Sequence, residues 1–170
     1  RQTIPMSLLN KWRIPILFVI SGMAIWFSLM HMSAKEVIIH RLRRIAGPLM
    51  LGWFVMVPLY DYTGSLFYSK PYQYEPGEGY LWFLINILVY IALLTPLAAH
   101  VASDRGQCVR QSIEAGWSKG YIPLTALVLF SAESLLVDPN FYVAYFYGIH
   151  RWLIGFLCFF LGLCCAIGAV

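Results

Sequence analysis

The stretch Ile38–Tyr60, "IIHRLRRIAGPLMLGWFVMVPLY", decides the fold class, because it passes within a few residues from a basic segment to a long apolar run. The whole chain of 170 residues has the same character, with 60% hydrophobic and 12% charged residues. Soluble domains are about 45–50% apolar and about 25% charged, and one of this size has too little interior to hide so much apolar surface. The sequence therefore predicts a protein that lies in a lipid bilayer.

Five apolar segments come close to the roughly 20 residues that a spanning helix needs. They cover residues 14–30, 45–60, 81–101, 121–137 and 152–170. We predict an all-α fold, a polytopic transmembrane helix bundle with about five spans, in a single membrane domain over residues 1–170. Because the chain starts at Arg1 and ends inside an apolar run, we expect it to be an internal piece of a longer membrane protein.

The second apolar segment is short, and residues 34–44 are expected to extend it as an amphipathic helical stem. Pro48 and Pro58 should bend this helix, because proline lacks a backbone donor and crowds the preceding turn. Gly47 and Gly52 would let a neighbouring helix approach closely.

The distribution of basic residues predicts the orientation in the membrane, since cytoplasmic connections are enriched in lysine and arginine. Residues 31–44 hold four such residues and residues 102–119 hold three, whereas 60–80 and 138–151 hold one each. The residues before the first span add three to the poorer side. We place 31–44 and 102–119 in the cytoplasm and 60–80 outside.

The outer connection 60–80 is rich in tyrosine and acidic residues. Tyrosines beside a span usually form a belt at the membrane interface, but aromatic rings with carboxylates also suit a sugar-binding surface. Both interpretations stay open. The tyrosines are Tyr60, Tyr62, Tyr68, Tyr72, Tyr74 and Tyr80.

Two polar residues inside the spans need a partner. An ionisable residue in a span usually faces the bundle interior or a cavity, but Glu133 is about one turn from Asp138 and could reach water at the outer interface. The sequence leaves both a functional and an interfacial role open for Glu133. For Asn86, a hydrogen bond to a neighbouring helix is the favoured explanation.

The cysteines and basic residues point to neither a metal nor a nucleic acid. Three of the four cysteines lie in the last apolar run, where packing is their expected role. We therefore expect no disulfide and no metal site. The basic residues flank the apolar segments, as membrane anchors do, so no nucleic-acid partner is expected. The cysteines are Cys108, Cys158, Cys164 and Cys165.

Two short motifs could carry chemistry. Ser21 and Gly22 lie in mid-span, where glycine lets a helix or a ligand approach and serine can bond back to the preceding turn. Arg41 and Arg44 are three residues apart and share one helix face, whereas Arg43 points elsewhere. Two guanidinium groups on one face can bind a diphosphate through paired hydrogen bonds, or they can simply anchor the helix at the interface.

Several segments, taken in order, resemble the membrane acyltransferase-3 family, in particular its glucan biosynthesis protein C branch. They are "RIPILFVISGMAIWFSL", then "HRLRRIAGPLMLGWFVMVPLY", then "GYLWFLINILVY". The span "WLIGFLCFFLGLCCA" is similar to a later span of the family. The resemblance covers most of residues 12–100 and, more loosely, 145–170.

This resemblance implies an integral membrane O-acyltransferase of about ten helices, of which the chain would cover about half. Such an enzyme moves an acyl group, acetyl or succinyl in type, from cytoplasmic acyl-CoA to a carbohydrate hydroxyl outside the bacterial inner membrane. By the resemblance, Arg41 and Arg44 would hold the acyl-CoA phosphates. Ser21 and Gly22 would lie near the acyl tunnel, and Trp82 would belong to the LWFL segment of the family. No metal is implied.

The chain departs from the family pattern at two points. Tyr80 stands where the family has a histidine before LWFL. The catalytic histidine of the family lies in its first helix, which we expect upstream of Arg1, so the chain by itself should be inactive. With the resemblance and the cytoplasmic placement together, phosphate binding becomes the favoured role of Arg41 and Arg44.

Two other functions remain as alternatives. A multi-pass transporter or exporter of a polyol or glycan would carry inverted repeats around broken helices. A non-catalytic membrane domain would use its arginines to bind anionic lipid.

Overall fold

The structure, a computed structural model, describes residues 4–68, 81–136 and 149–169, and every regular element in these ranges is helical. The predicted all-α fold is confirmed for this part of the chain. Its α-helices are α1 (Ile4–Leu29), α2 (Ala34–Leu51), α3 (Val57–Tyr68), α4 (Trp82–Ala102), α5 (Gln107–Ser118), α6 (Tyr121–Leu136) and α7 (Ile149–Gly168).

Three stretches of helix in the described ranges are long and apolar enough to cross a membrane: Ala34–Phe67, Trp82–Ala102 and Arg151–Gly168. The apolar helices Arg13–Leu29 and Tyr121–Glu133 are shorter. The chain is thus compatible with an integral membrane protein. Five spans remain a prediction, since two of the five segments fall short of that length.

The stem before the second apolar segment is helical, as predicted. Ser33 caps α2, because its hydroxyl accepts a hydrogen bond from the backbone N–H of Glu36 at 3.4 Å. In return the Glu36 carboxylate accepts one from the Ser33 N–H at 2.8 Å. This reciprocal capping box satisfies backbone donors that the first turn would leave free, and it explains why the helix starts at Ala34.

The helix does not break at its prolines. Between Pro48 and Pro58 it widens into a π-helical turn, Gly52–Met56, and then continues as α3. A π turn is one way in which a helix accommodates an interrupted hydrogen-bond ladder, whereas the bend expected at Pro48 and Pro58 stays a prediction. Gly52 packs closely, since a Cβ there would lie 2.7 Å from Leu81 Cδ2, whereas the close neighbour predicted for Gly47 is absent among the described residues.

Helices α1, α4 and α7 form the buried core and run in the same direction. Trp82 lies beside Arg151 where α4 and α7 begin, and Tyr90 contacts Phe159 further along both helices, with ring centroids 5.7 Å apart. On α1, the Phe18 ring lies beside Gly155 of α7, and Gly22 follows it against the backbone between Phe159 and Leu163. These contacts bury large apolar side chains at the centre: Phe18, Ile25, Trp26, Tyr90, Leu94, Phe159 and Ile167.

A helix that we did not predict, α5, occupies the connection between α4 and α6. Its Trp117 side chain lies against Gly168 near the end of α7, and Ile113 packs against the buried core. Gly120, with φ of 76°, then reverses the chain into α6. Glycine adopts this φ more readily than other residues. The turn leaves α5 packed beside the start of α6 and the end of α7.

Candidate functional site

Arg41 is partly committed to contacts within the bundle. It lies on α2 and its Nη2 donates hydrogen bonds of 3.1 Å each to the Ala24 carbonyl oxygen and to Ser28 Oγ. Both acceptors belong to the last turns of α1, and Ser28 Oγ itself donates to Ala24 O at 2.6 Å. Arg41 therefore joins α2 to the end of α1. Because both hydrogen bonds come from Nη2, the other nitrogens of the guanidinium group are left for a ligand.

Arg44 lies one turn further along α2 and is exposed. Among the described residues, the structure gives neither Arg41 nor Arg44 a carboxylate partner, unlike Arg110, which pairs with Glu114 at 3.3 Å. Two neighbouring positive charges without an acid between them repel each other. An anion bound at this surface would relieve that repulsion, so the arrangement suits a phosphate group.

Ser21 and Gly22 both have structural partners. Ser21 Oγ donates to Leu17 O in the preceding turn, at 2.7 Å. Gly22 is buried at the crossing with α7, where a Cβ would collide with the carbonyl oxygen of Phe159. Helix packing, the simpler of the two explanations from the sequence, accounts for both residues. Whether they also line an acyl tunnel stays a prediction.

Trp82 is buried at the start of α4. Its ring lies 6.4 Å from that of Phe18 on α1, and the guanidinium carbon of Arg151 lies 5.1 Å from the Trp82 ring centroid. This geometry is that of a cation–π contact.

Arg151 is a candidate that sequence reasoning missed. We counted it with the outer connection, yet 8% of the residue is exposed, and its guanidinium also lies 6.0 Å from the ring centroid of Trp152. An arginine buried among the spans of a membrane protein is a default functional candidate. Its position before an apolar run is also that of an ordinary anchor, so the sequence offered no signal to distinguish the two.

A polar chain continues inward from this cluster. Tyr90 OH donates to the Trp152 carbonyl oxygen at 2.6 Å, and Asn86 Nδ2 lies at 3.5 Å from Tyr90 OH. Asn86 is fully buried, and its Oδ1 has no hydrogen-bond partner among the described residues. Among the described residues Asn86 thus has its partner on its own helix, and the direct hydrogen bond to a neighbouring helix that we predicted is not formed. The link from α4 to α7 is made by Tyr90.

The predicted site residues do not form one site. Arg41 contacts the last turns of α1, whereas Trp82 and Arg151 lie at the first turns of α4 and α7. Because α1, α4 and α7 run in the same direction, the two groups lie at opposite ends of the core. Gly22 lies between these ends. The structure thus separates a basic surface at one end from an aromatic cluster with a buried arginine at the other.

Other candidates from the sequence have mixed outcomes. Glu133 is buried near the end of α6. Cys158 and Cys164 are buried and Cys108 is exposed, and none is in a disulfide among the described cysteines. The part of the chain that the structure describes holds no group of three possible metal ligands. Tyr60 and Tyr62 are exposed on α3, and the remainder of the tyrosine-rich connection, residues 69–80, lies outside the described residues.

Comparison of the chain with models of protein families, with curated proteins and with solved structures gives no match. The acyltransferase interpretation therefore rests on the ordered sequence motifs and on the chemistry of the residues above.

Proposed function

We propose that the chain is the donor-binding part of an integral membrane O-acyltransferase, which moves an acetyl or succinyl group from acyl-CoA to a carbohydrate hydroxyl. The observation that carries the proposal is the pair Arg41 and Arg44, two neighbouring guanidinium groups with no carboxylate partner in the described ranges. Paired guanidinium groups match the geometry of phosphates, and coenzyme A presents phosphates in the cytoplasm.

The direction of the helices supports the membrane topology that this function needs. If two helices of one chain cross a bilayer in the same direction, the chain that connects them must cross the bilayer an odd number of times. One crossing by α2 and α3 would separate α1 from α4, and one by α6 would separate α4 from α7. This arrangement gives five spans, and it puts Arg41, Arg44 and α5 on one side of the membrane. That side is the cytoplasm by the excess of basic residues.

The chemistry assigned to these residues is binding and orientation of the donor. In the transfer, the sugar oxygen bonds to the acyl carbon, the thioester C–S bond breaks, and coenzyme A leaves as the thiolate, which the hydroxyl proton then neutralises. Arg44 would hold a phosphate of the donor, and Arg41, fixed to α1 through Ala24 and Ser28, would position it. The general base is the histidine that the resemblance implies, and we assign no residue of this chain to that role.

The test compares three substitutions in the full-length protein, with the Michaelis constant for acetyl-CoA as the measured quantity. Arg44→Ala should raise KM by roughly 10–100-fold, because a hydrogen bond to a charged group contributes about 1.5–3 kcal/mol. Arg44→Lys should also raise it, since lysine cannot form the paired contact. Arg43→Ala is the matched control, an exposed arginine on the same helix, and should leave KM unchanged.

Arg41→Ala separates binding from folding. It should raise KM and also lower the melting temperature, because it removes two hydrogen bonds to α1. Arg44→Ala should leave the melting temperature unchanged. If Arg44→Ala and Arg44→Lys both keep the wild-type KM at normal membrane levels, the phosphate role is wrong. The arginines then act as interface anchors or bind anionic lipid, the alternative function.

A further inference from the structure

A cavity of about 400 Å³ lies between α5, α6 and α7, on the side of α7 that faces away from α1. Phe160, Leu161 and Cys164 of α7 line it, whereas the residues around Phe159 and Gly162 face α1. Helix α7 thus separates the cavity from Ser21 and Gly22. The cavity is therefore distinct from an acyl tunnel beside Ser21 and Gly22.

The lining of the cavity offers few polar groups to a ligand. Three of its residues carry a hydroxyl group. Two of these bond back to their own helices, since Ser112 Oγ donates to Cys108 O at 2.9 Å and Thr125 Oγ1 donates to Tyr121 O at 2.8 Å. The third, Tyr121, is an exposed residue at the start of α6. Water in a protein interior needs two to four polar partners, and a sugar or nucleotide needs more. The remaining lining is apolar: Val109, Ile113, Ile122, Leu129, Phe130 and Leu157. The cavity therefore suits a hydrocarbon occupant.

The position of the cavity favours a lipid as the source of that hydrocarbon. One wall is α5, an amphipathic helix at the end of the bundle, and the other two walls are the apolar helices α6 and α7. Tyr121 lines the cavity and is exposed, and it follows exposed Lys119 by two residues at the turn between α5 and α6. On α5, Arg110 is paired with Glu114. The positive charge of Lys119, close to the cavity in the chain, is complementary to a phosphate headgroup.

We propose that the cavity binds one phospholipid, with an acyl chain between α5, α6 and α7 and its anionic headgroup at Lys119. The bound chain fills the space between α6 and α7 and holds α5 against the bundle. This proposal does not depend on the acyltransferase function, because it uses neither Arg41 nor Arg44.

The purified protein is mixed in detergent with dioleoylphosphatidylglycerol, and native mass spectrometry counts the lipid molecules that remain bound to it. Ala126 lines the cavity, so Ala126→Trp would fill it. Ala92→Trp is the control, an exposed alanine in the apolar helix α4. The wild type and Ala92→Trp should retain one lipid equally well. Ala126→Trp should bind it at least about tenfold more weakly, the loss expected when about two methylene groups leave an apolar site.

Two further variants keep the proposal testable. Ala126→Leu fills less of the cavity, should fold if Ala126→Trp does not, and should weaken binding in the same direction. Lys119→Gln should abolish the preference for dioleoylphosphatidylglycerol over dioleoylphosphatidylcholine. The proposal is overturned if both Ala126 variants elute as folded protein and retain lipid like the wild type. It is also overturned if the wild type retains no lipid, or if a second copy of the chain occupies the cavity instead.

Discussion

Gly22 of α1 lies directly against the backbone carbonyl of Phe159 in α7. The contact is matched one turn away, where Gly162 of α7 lies against the carbonyl of Val19, so each helix presents a glycine to the backbone of the other. Glycines let helix backbones approach closely in membranes, where packing rather than the hydrophobic effect drives association. This pair of contacts fixes α1 beside α7 in the core.

A methyl group at this crossing should destabilise the protein. We expect Gly22→Ala to lower the free energy of unfolding by about 1–3 kcal/mol, the usual cost of overpacking a tight contact. A Cβ at Gly22 meets backbone atoms, which cannot rotate away as a side chain does. Thermal unfolding of the purified protein in detergent, followed by loss of helical circular dichroism, measures the effect.

Gly64→Ala is the matched control for that substitution. Gly64 also lies within an apolar helix, α3, but a Cβ there meets nothing within 4 Å. Because alanine is the better helix former by about 1 kcal/mol, this variant should be as stable as the wild type or slightly more so. Equal unfolding temperatures for the Gly22 and Gly64 variants would contradict the close crossing of α1 and α7.

Trp82 and Arg151 should be energetically coupled. A cation–π contact contributes about 2 kcal/mol when it is shielded from water, and both residues are buried. We expect a coupling energy of roughly 1–2 kcal/mol in a double-mutant cycle of Trp82→Leu and Arg151→Gln, measured from unfolding free energies in detergent. Trp82→Phe should retain part of the coupling because it keeps an aromatic face over the guanidinium.

A second cycle serves as the comparison for this prediction. Trp117 is also packed against α7 but lies at the other end of the helix, beside Gly168, so Trp117→Leu and Arg151→Gln should be additive within about 0.5 kcal/mol. If the effects of Trp82→Leu and Arg151→Gln on the unfolding free energy are additive to the same extent, the Trp82 ring and the Arg151 guanidinium are neighbours without a net interaction.

Cys108 reports the orientation of the chain in the membrane. It is exposed on α5, whereas Cys158 and Cys164 are buried in α7. Under the predicted topology, which puts residues 102–119 in the cytoplasm, a membrane-impermeant maleimide should label the protein in inverted membrane vesicles and not in intact cells. Cys108→Ser should abolish the labelling. Labelling of intact cells that the Cys108→Ser substitution removes would reverse the predicted topology.

Helices α4, α6 and α7 begin and end within a few residues of the predicted spans, because long apolar runs leave little choice of structure in a bilayer. The other two predicted spans were too short: α1 begins at Ile4 and not at residue 14, and α3 continues to Tyr68 and not to residue 60. Helix α5 was missed, although Val109, Ile113 and Trp117 repeat at intervals of four and mark an amphipathic helix. Its polar residues and positive charges were taken as those of a loop. The capping sequence from Ser33 to Glu36 was an available signal for the start of α2.

The details of the candidate sites could not be predicted, because they depend on contacts between distant parts of the chain. Arg41 reaches α1 through Ser28, 13 residues earlier, and Arg151 is buried by Trp82, which precedes it by 69 positions in the sequence. Periodicity identifies the face of a helix on which a residue lies, but not the neighbour that covers this face. The sequence therefore placed Arg151 in the connection 138–151 without indicating that its side chain is buried.

The π turn Gly52–Met56 changes how surfaces on the two sides of it line up. A π turn closes on the fifth residue instead of the fourth, so it holds one residue more than an α turn, and one residue corresponds to about 100° of rotation. A helical wheel drawn without a break from Ala34 to Tyr68 would therefore align the wrong residues of α2 and α3. Two cysteines introduced on the same face of this helix, one on each side of the π turn, must therefore be one residue further apart in the sequence than in a regular α-helix.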